Sequence, residues 1–290
     1  MGKVIRAITT DGFIRINVFD STDVVTKAQK IHNLTNTATA ALGRAITASV
    51  IMAADMKNED NRICISIKSN GEIGSVVSES YKNGAVKGFV SNPKVNPPLR
   101  ADGKLDVSGA LGHSGSLSVI KDLGTGEPQI GTVELISGEI AEDISYYYSQ
   151  SEQIPTAIGL GVLVSKEGIM LGSGGYILQL LPDCPDEIIA KIEENIGNMP
   201  MSVSLFFAED NAPEDLIKTL LSGMEYKITE EYESNYVCDC SKKRVEKALI
   251  SLGRKELSNI IEQDGGAEIK CHYCNKMYEF SKGDLENLLK

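Results

Sequence analysis

The sequence lacks the features that would tie it to a membrane. No run of apolar residues approaches the ~20 residues that a membrane-spanning helix needs. Charged and polar residues interrupt Met1–Asp20 throughout, so this segment has no apolar stretch of the kind found in a secretory signal. We therefore expect a cytoplasmic protein with no membrane partner.

The sequence also lacks an excess of basic residues. It has 29 basic and 40 acidic residues, a net charge of −11. The first 231 residues carry all of this imbalance, whereas the segment from Tyr232 onward has ten residues of each sign. A protein that binds nucleic acid without sequence preference needs basic surface to replace phosphate counterions. We therefore expect no nucleic-acid partner, and anionic membrane surfaces are disfavoured for the same reason.

Motifs for catalysis and nucleotide binding are missing as well. The glycine-rich stretch around His113 does not complete a G-x-S-x-G motif, because Ser116 stands at the second glycine position. Gly159-Leu160-Gly161 lacks the third glycine of a dinucleotide fingerprint, and no Walker A motif occurs. We therefore predict that the protein is not an enzyme.

Hydrophobic periodicity predicts an α+β protein in three parts. Residues 33–56 place apolar and small side chains at helical spacing, whereas Arg62–Lys68 alternates like a half-buried strand. These patterns predict a mixed sheet-and-helix core domain over residues 1–180. Amphipathic patterns then predict a helical interdomain linker over 181–231, and a small zinc domain over 232–290. In the last part we expect a helix capped by Ser241 and a hairpin with CHYC at its turn.

Six cysteines are present, and they fall into two groups. Cys64 and Cys184 are isolated in the sequence, and we interpret both as spectator thiols. Cys184 precedes a predicted helix, a position that can lower a thiol pKa. The other four, Cys238, Cys240, Cys271 and Cys274, all lie in the last 53 residues.

These four cysteines form a C-x-C pair and a C-x-x-C pair, separated by 30 residues. Four thiolates supply the tetrahedral ligand set of a closed structural zinc site. The surrounding segment has few large apolar side chains, and so small a unit usually needs a metal to hold it folded. We therefore predict one zinc ion bound by Cys238, Cys240, Cys271 and Cys274. A ligand set that includes His272 is the alternative.

The spacing of the cysteines is compatible with two roles for this site, a purely structural one and a regulatory one. An inert zinc knuckle would only keep the segment folded. However, both pairs are close enough in sequence to form local disulfides, and strained bridges are typically labile or regulatory. Because loss of zinc would remove most of the folding free energy of this unit, oxidation could act as an unfolding switch. A zinc-ribbon interaction module without a switch is the alternative. A zinc hydrolase is disfavoured, since four cysteines leave no open coordination position.

Several stretches of the sequence resemble the 33 kDa chaperonin family of redox-regulated bacterial heat-shock chaperones. The C-x-C pair is followed directly by SKKRVEKALISLG, then KEL, then CHYCNKMYEF. Further upstream lie ALGRA in a Thr/Ala-rich segment, GSLSVIKDLG, and SEQIPT at Ser151–Thr156. The resemblance covers essentially the whole chain, with no departure at the four cysteines.

This resemblance implies a function and a mechanism. The reduced protein would be a zinc-bound, weakly active monomer in the cytoplasm. Oxidants would form the disulfides Cys238–Cys240 and Cys271–Cys274, expel zinc, unfold the C-terminal domain and destabilise the linker. The activated protein would dimerise, expose hydrophobic surface and hold unfolding client proteins without ATP.

Overall fold

The computed structural model describes residues 1–289 and divides the chain into two compact units, Met1–Tyr236 and a second beginning at Val237. The first unit combines one large sheet with helices, and the second is a small mixture of both. The predicted α+β class is therefore confirmed. Among residues 1–289, no helix is long and apolar enough to cross a membrane.

Ten strands build the sheet of the first unit. They are β1 (Gly2–Thr9), β2 (Ile14–Asp20), β3 (Arg62–Ser69), β4 (Ser75–Tyr81), β5 (Ala85–Val90), β6 (Gly115–Asp122), β7 (Gln129–Glu134), β8 (Thr156–Val164), β9 (Met170–Leu180) and β10 (Tyr226–Tyr236). Their order across the sheet is β7-β6-β3-β4-β5-β10-β1-β2-β9-β8. Neighbouring strands run antiparallel except β5 and β10, which are parallel.

The same unit contains seven α-helices and one π-helical turn. The helices are α1 (Thr22–His32), α2 (Asn36–Ala53), α3 (Val107–Leu111), α4 (Ala141–Tyr147), α5 (Asp186–Gly197), α6 (Val203–Ala208) and α7 (Pro213–Leu220). The π-helical turn, Tyr148–Glu152, continues directly from α4.

Helix α2 lies at the centre of the main core, with 16 of its 18 residues buried. Small side chains make this possible. A Cβ atom at Gly43 would lie 2.8 Å from Val162 and 2.9 Å from Val25, so a larger residue would push α2 away from its neighbours. The Ser49 hydroxyl lies 2.7 Å from the hydroxyls of Ser78 and Ser80 on β4, which satisfies buried polar groups on this helix. The helix expected over residues 33–56 is thus confirmed.

Helices α5, α6 and α7 pack with strands β1, β2 and β9 into a second hydrophobic cluster. Buried members of this cluster include Ile192, Phe206, Phe207 and Leu216 from the helices. By contacts, residues 181–236 therefore belong with the first unit. The predicted division into a core domain, a linker and a zinc domain, with boundaries at residues 180 and 231, stays a prediction.

Strand β10 is a feature that the sequence pattern did not predict. It pairs with the whole of β1, from Tyr226↔Thr9 to Ser234↔Gly2. Its last two residues, Asn235 and Tyr236, also pair with β5. β10 thus joins the five-stranded half sheet β7-β6-β3-β4-β5 to the half that contains β1.

The second unit has three helices and a two-stranded sheet. They are α8 (Lys242–Ser251), α9 (Arg254–Gln263), β11 (Gly266–Lys270), β12 (Met277–Ser281) and α10 (Lys282–Leu288). Its core has six buried apolar side chains: Leu249, Leu257, Ile261, Tyr278, Phe280 and Leu285. So small a core supplies little stability on its own, which agrees with the expected need for a metal.

Candidate metal centre

The two cysteine pairs are presented by two different local structures. Cys238 and Cys240 lie in the extended segment before α8, and the side chain of the next residue, Ser241, caps that helix as predicted. Cys271 and Cys274 lie in the turn between β11 and β12. In that turn the backbone N–H of Asn275 donates to the Cys271 carbonyl at 2.9 Å, which folds the C-x-x-C segment back on itself.

The folding of the unit brings all four thiols together. The four Sγ atoms lie within 4.8 Å of one another. The Sγ atoms of Cys238 and Cys271 are 3.7 Å apart, and those of Cys240 and Cys274 are 3.3 Å apart. A tetrahedral four-thiolate zinc site with Zn–S bonds of 2.3 Å has sulfurs about 3.8 Å apart. The donor set and its spacing therefore fit a metal ion of this type.

All four cysteines are free thiols and half-buried. The group of side chains that could hold a metal, sought over residues 1–289, consists of these four, and His272 is not among its members. The ligand set with His272 thus gains no support from the geometry. The four cysteines together could bind a metal ion.

The thiols differ in acidity because their surroundings differ. Burial raises the pKa of Cys238, and hydrogen bonds with the other thiols of the cluster add to this. Burial acts in the same direction on Cys240, but a hydrogen bond from the Tyr278 hydroxyl and bonds from the other thiols outweigh it. These bonds lower the pKa of Cys240 to about 7. The cluster therefore has one thiol that ionises readily near neutral pH.

Tyr278 is a contributor to this site that the sequence reasoning missed. Its hydroxyl donates a hydrogen bond to the Cys240 sulfur at 3.0 Å, while its ring is buried in the core of the unit. Such partners orient metal ligands and tune their basicity. The sequence signal that could have indicated this role was the position of Tyr278 in β12. Successive side chains of a strand point to opposite faces, so Tyr278 and Phe280 lie on the same face.

Cys64 and Cys184 lie in the first unit, outside the thiol cluster. Cys64 is on β3, where burial raises the pKa of its thiol to about 11. The suggestion that the helix start lowers the Cys184 pKa was wrong. Partial burial raises this pKa, and the carboxylates of Asp11 and Asp186 add to the effect. Neither thiol is activated, which agrees with the interpretation of both as spectators.

Comparisons with known proteins agree along the whole chain. The sequence model described as "Hsp33 protein" matches residues 2–281. The 33 kDa chaperonin of Acetivibrio thermocellus is 45% identical over 287 residues, which cover 99% of this chain and 96% of the relative. The 33 kDa chaperonin of Caldanaerobacter subterraneus is 48% identical over 270 residues, covering 93% and 92%.

A solved structure gives the same result at the level of the fold. The crystal structure of the 33 kDa chaperonin (heat shock protein 33 homolog) from Thermotoga maritima superimposes with a TM-score of 0.90. It is 37% identical, and the match covers 99% of this chain and 97% of the other. The chain therefore belongs to the Hsp33 family, a family of chaperones.

Proposed function

We propose that the protein is an ATP-independent holdase whose activity is switched by oxidation of Cys238, Cys240, Cys271 and Cys274. The observation that carries the proposal is the convergence of four free thiols in a unit that has only six buried apolar side chains in its core among residues 237–289. So small a unit depends for its stability on a cross-link through the four cysteines. A change in the chemistry of these thiols therefore changes whether the unit folds. In a chain of a chaperone family, this dependence provides a switch.

In the reduced protein the four thiolates hold one zinc ion per chain. Zinc suits the site because it prefers a tetrahedral set of soft sulfur ligands, and because it undergoes no redox change itself. When bound, the ion supplies a structural cross-link between the C-x-C segment and the β11–β12 turn. The protein groups then determine how readily an oxidant reaches the sulfurs, and all four are partly exposed.

Oxidation converts the four thiolates to the disulfides Cys238–Cys240 and Cys271–Cys274. Each disulfide forms with the loss of two electrons, so two molecules of hydrogen peroxide are reduced to water for each chain. Both short contacts in the reduced cluster run between the two segments, whereas each proposed bridge lies within one segment. Formation of these bridges therefore replaces a cross-link between segments by two local loops and leaves the small core unsupported.

Residues 181–231 act as the linker that passes this change to the first unit. Their helices bury Ile192, Phe206, Phe207 and Leu216 against the sheet. Release of these helices would expose apolar side chains on both the linker and the sheet. Exposed apolar surface of this kind binds unfolding proteins and promotes self-association.

The partners of the activated protein are accordingly unfolded or partly folded client proteins and a second copy of the same chain. The protein acts in the cytoplasm. The net charge of −11 argues against nucleic acid as a partner.

The test follows zinc release, thiol content and client aggregation in one sample during exposure to hydrogen peroxide. The reduced, zinc-loaded protein should barely suppress aggregation of a thermally unfolding client. Oxidation should release one zinc ion, consume four thiols and turn suppression on. Peptide mapping of the oxidised protein then identifies the disulfide pairs.

Two variants make this test specific. Replacing the four clustered cysteines by serine should abolish zinc binding and all response to oxidant. The matched double variant Cys64→Ser/Cys184→Ser should keep both. Oxidant-switchable suppression in the quadruple variant would overturn the proposal. Constant, oxidant-insensitive association with a partner or with RNA would instead favour a zinc-ribbon module.

A further inference from the structure

A cavity of about 430 Å³ lies in the first unit, far in sequence from the clustered cysteines. Its wall is formed by the end of α2 and the residues that follow, the start of β3, the end of β6 and the π-helical turn. Cavities that hold small molecules typically measure about 300–1,000 Å³. π-helical segments are rare and occur frequently at functional sites. The size and construction of this cavity therefore suit a ligand.

Two polar side chains in the wall are almost completely buried and have donor groups with no partner. Tyr148 is 5% exposed and Asn61 is 3% exposed. The Asn61 side-chain oxygen accepts a hydrogen bond from the Asn58 backbone at 3.1 Å. Within residues 1–289, however, neither the Asn61 side-chain nitrogen nor the Tyr148 hydroxyl has a hydrogen-bond partner. Both donor atoms stay accessible from the cavity, so an acceptor on a ligand there could take the place of water on them.

The charges in the wall favour an anionic ligand. Both carboxylates are already paired: Asp55 lies 3.3 Å from Arg15, and Glu152 lies 2.5 Å from Lys121. Lys57 at the rim is exposed and forms no ion pair with the described residues. The wall therefore holds three cations and two carboxylates, a net positive charge in a molecule of net −11. Negative charge on a ligand would find its counter-ion in Lys57.

The remaining wall is apolar and rich in methionine. It includes Met52, Met56, Ile63, Leu123 and Ile154. Methionine side chains adapt their shape to the ligand, and their sulfur atoms make favourable contacts with aromatic rings. A flat, unsaturated ligand body would therefore fill this part of the cavity well.

We propose that this cavity is a binding site for a small aromatic anion, a carboxylate or sulfonate carried on a flat apolar body. The anionic group lies towards Lys57 and accepts hydrogen bonds from the side chains of Tyr148 and Asn61. The aromatic body packs against Met52 and Met56.

The test uses the full-length, reduced, zinc-loaded protein and two fluorescent probes of matched shape. One is 8-anilinonaphthalene-1-sulfonate, and the other is N-phenyl-1-naphthylamine, which lacks the sulfonate. The sulfonate should bind saturably at one site per chain, about tenfold more tightly than the uncharged probe, since a hydrogen bond to a charged group contributes that much. 1-Naphthoate should displace it.

Variants locate the site. Lys57→Met and Tyr148→Phe should each weaken binding of the sulfonate about tenfold. Lys68→Met, at an exposed lysine on β3 outside the cavity, should leave it unchanged. If Tyr148→Phe fails to fold, Leu123→Trp serves in its place, because Leu123 is 38% exposed at the cavity wall and a larger ring there would fill the space.

Three results would overturn the proposal: equal affinity for the two probes, binding that does not saturate at one site, or equal weakening by Lys68→Met and Lys57→Met. The outcome is independent of the redox switch, because every measurement is made on the reduced, zinc-loaded protein.

Discussion

At the scale of single residues, Tyr278 links the core of the second unit to its candidate metal centre. Its hydroxyl donates to the Cys240 sulfur at 3.0 Å. We expect Tyr278→Phe to weaken zinc binding 10- to 100-fold, because loss of a group that orients a metal ligand typically has this effect. Competition with a chromophoric chelator measures the change. The control is Tyr146→Phe in the first unit, which should bind zinc as the unmodified protein does.

Asp143 shows what one buried carboxylate contributes to the first unit. It is fully buried and accepts hydrogen bonds of 2.8–3.3 Å from four backbone N–H groups within residues 136–140. In Asp143→Asn, an NH₂ group would replace one acceptor and face donors. We expect the free energy of unfolding to fall by about 2–3 kcal/mol. Urea denaturation measures this loss, and the exposed neighbour Glu142→Gln should change stability by less than about 0.5 kcal/mol.

The spacing of the four clustered cysteines predicted a ligand set, and the structure brings their Sγ atoms within 4.8 Å of one another. Tyr278 could not be identified in the same way, since its role depends on which face of β12 meets Cys240. Cys184 illustrates the converse error. A helix start favours a thiolate in isolation, but partial burial and, after it, nearby carboxylates raise the pKa of Cys184 in the folded chain.

At the scale of elements, strongly periodic segments were predicted and β10 was not. The α2 helix, the β11–β12 hairpin and the Ser241 cap follow from local patterns. β10 is largely exposed from Tyr226 to Glu233, so it has no apolar alternation to detect. Its position is set by main-chain pairing with β1 and by ion pairs such as Lys3–Glu231 at 3.0 Å. Such long-range partners are invisible to local hydrophobicity.

The carboxyl end of β10 is anchored by Tyr236. Its hydroxyl donates to the Gly88 carbonyl at 2.6 Å and lies 3.0 Å from Nε2 of His32. We expect Tyr236→Phe to lower the free energy of unfolding of the first unit by about 1–3 kcal/mol, because buried backbone groups of Gly88 lose their partner. Urea denaturation measures this change in the free energy of unfolding. Tyr226→Phe, at the other end of β10, is the control and should have little effect.

At the scale of the whole molecule, the two units should respond differently to metal removal. A strong chelator should unfold residues 237–289, whose core has six buried side chains, and leave residues 1–180 of the first unit folded. Far-UV circular dichroism and limited proteolysis measure this difference. Above saturation, each tenfold rise in free zinc should stabilise the second unit by about 1.4 kcal/mol. Chelator-induced unfolding of both units together would contradict this expectation.

The pairing of β1 with β10 also constrains how the chain folds during synthesis. β1 occupies residues 2–9, and its partner ends at Tyr236. At translation rates of 5–20 residues per second, the ribosome needs roughly 12–50 s to deliver β10 after β1 has appeared. During that interval one edge of β1, the strand that carries Val4 and Ile5, has no β10 to pair with. The nascent chain thus completes its sheet only just before the first clustered cysteine emerges, two residues later.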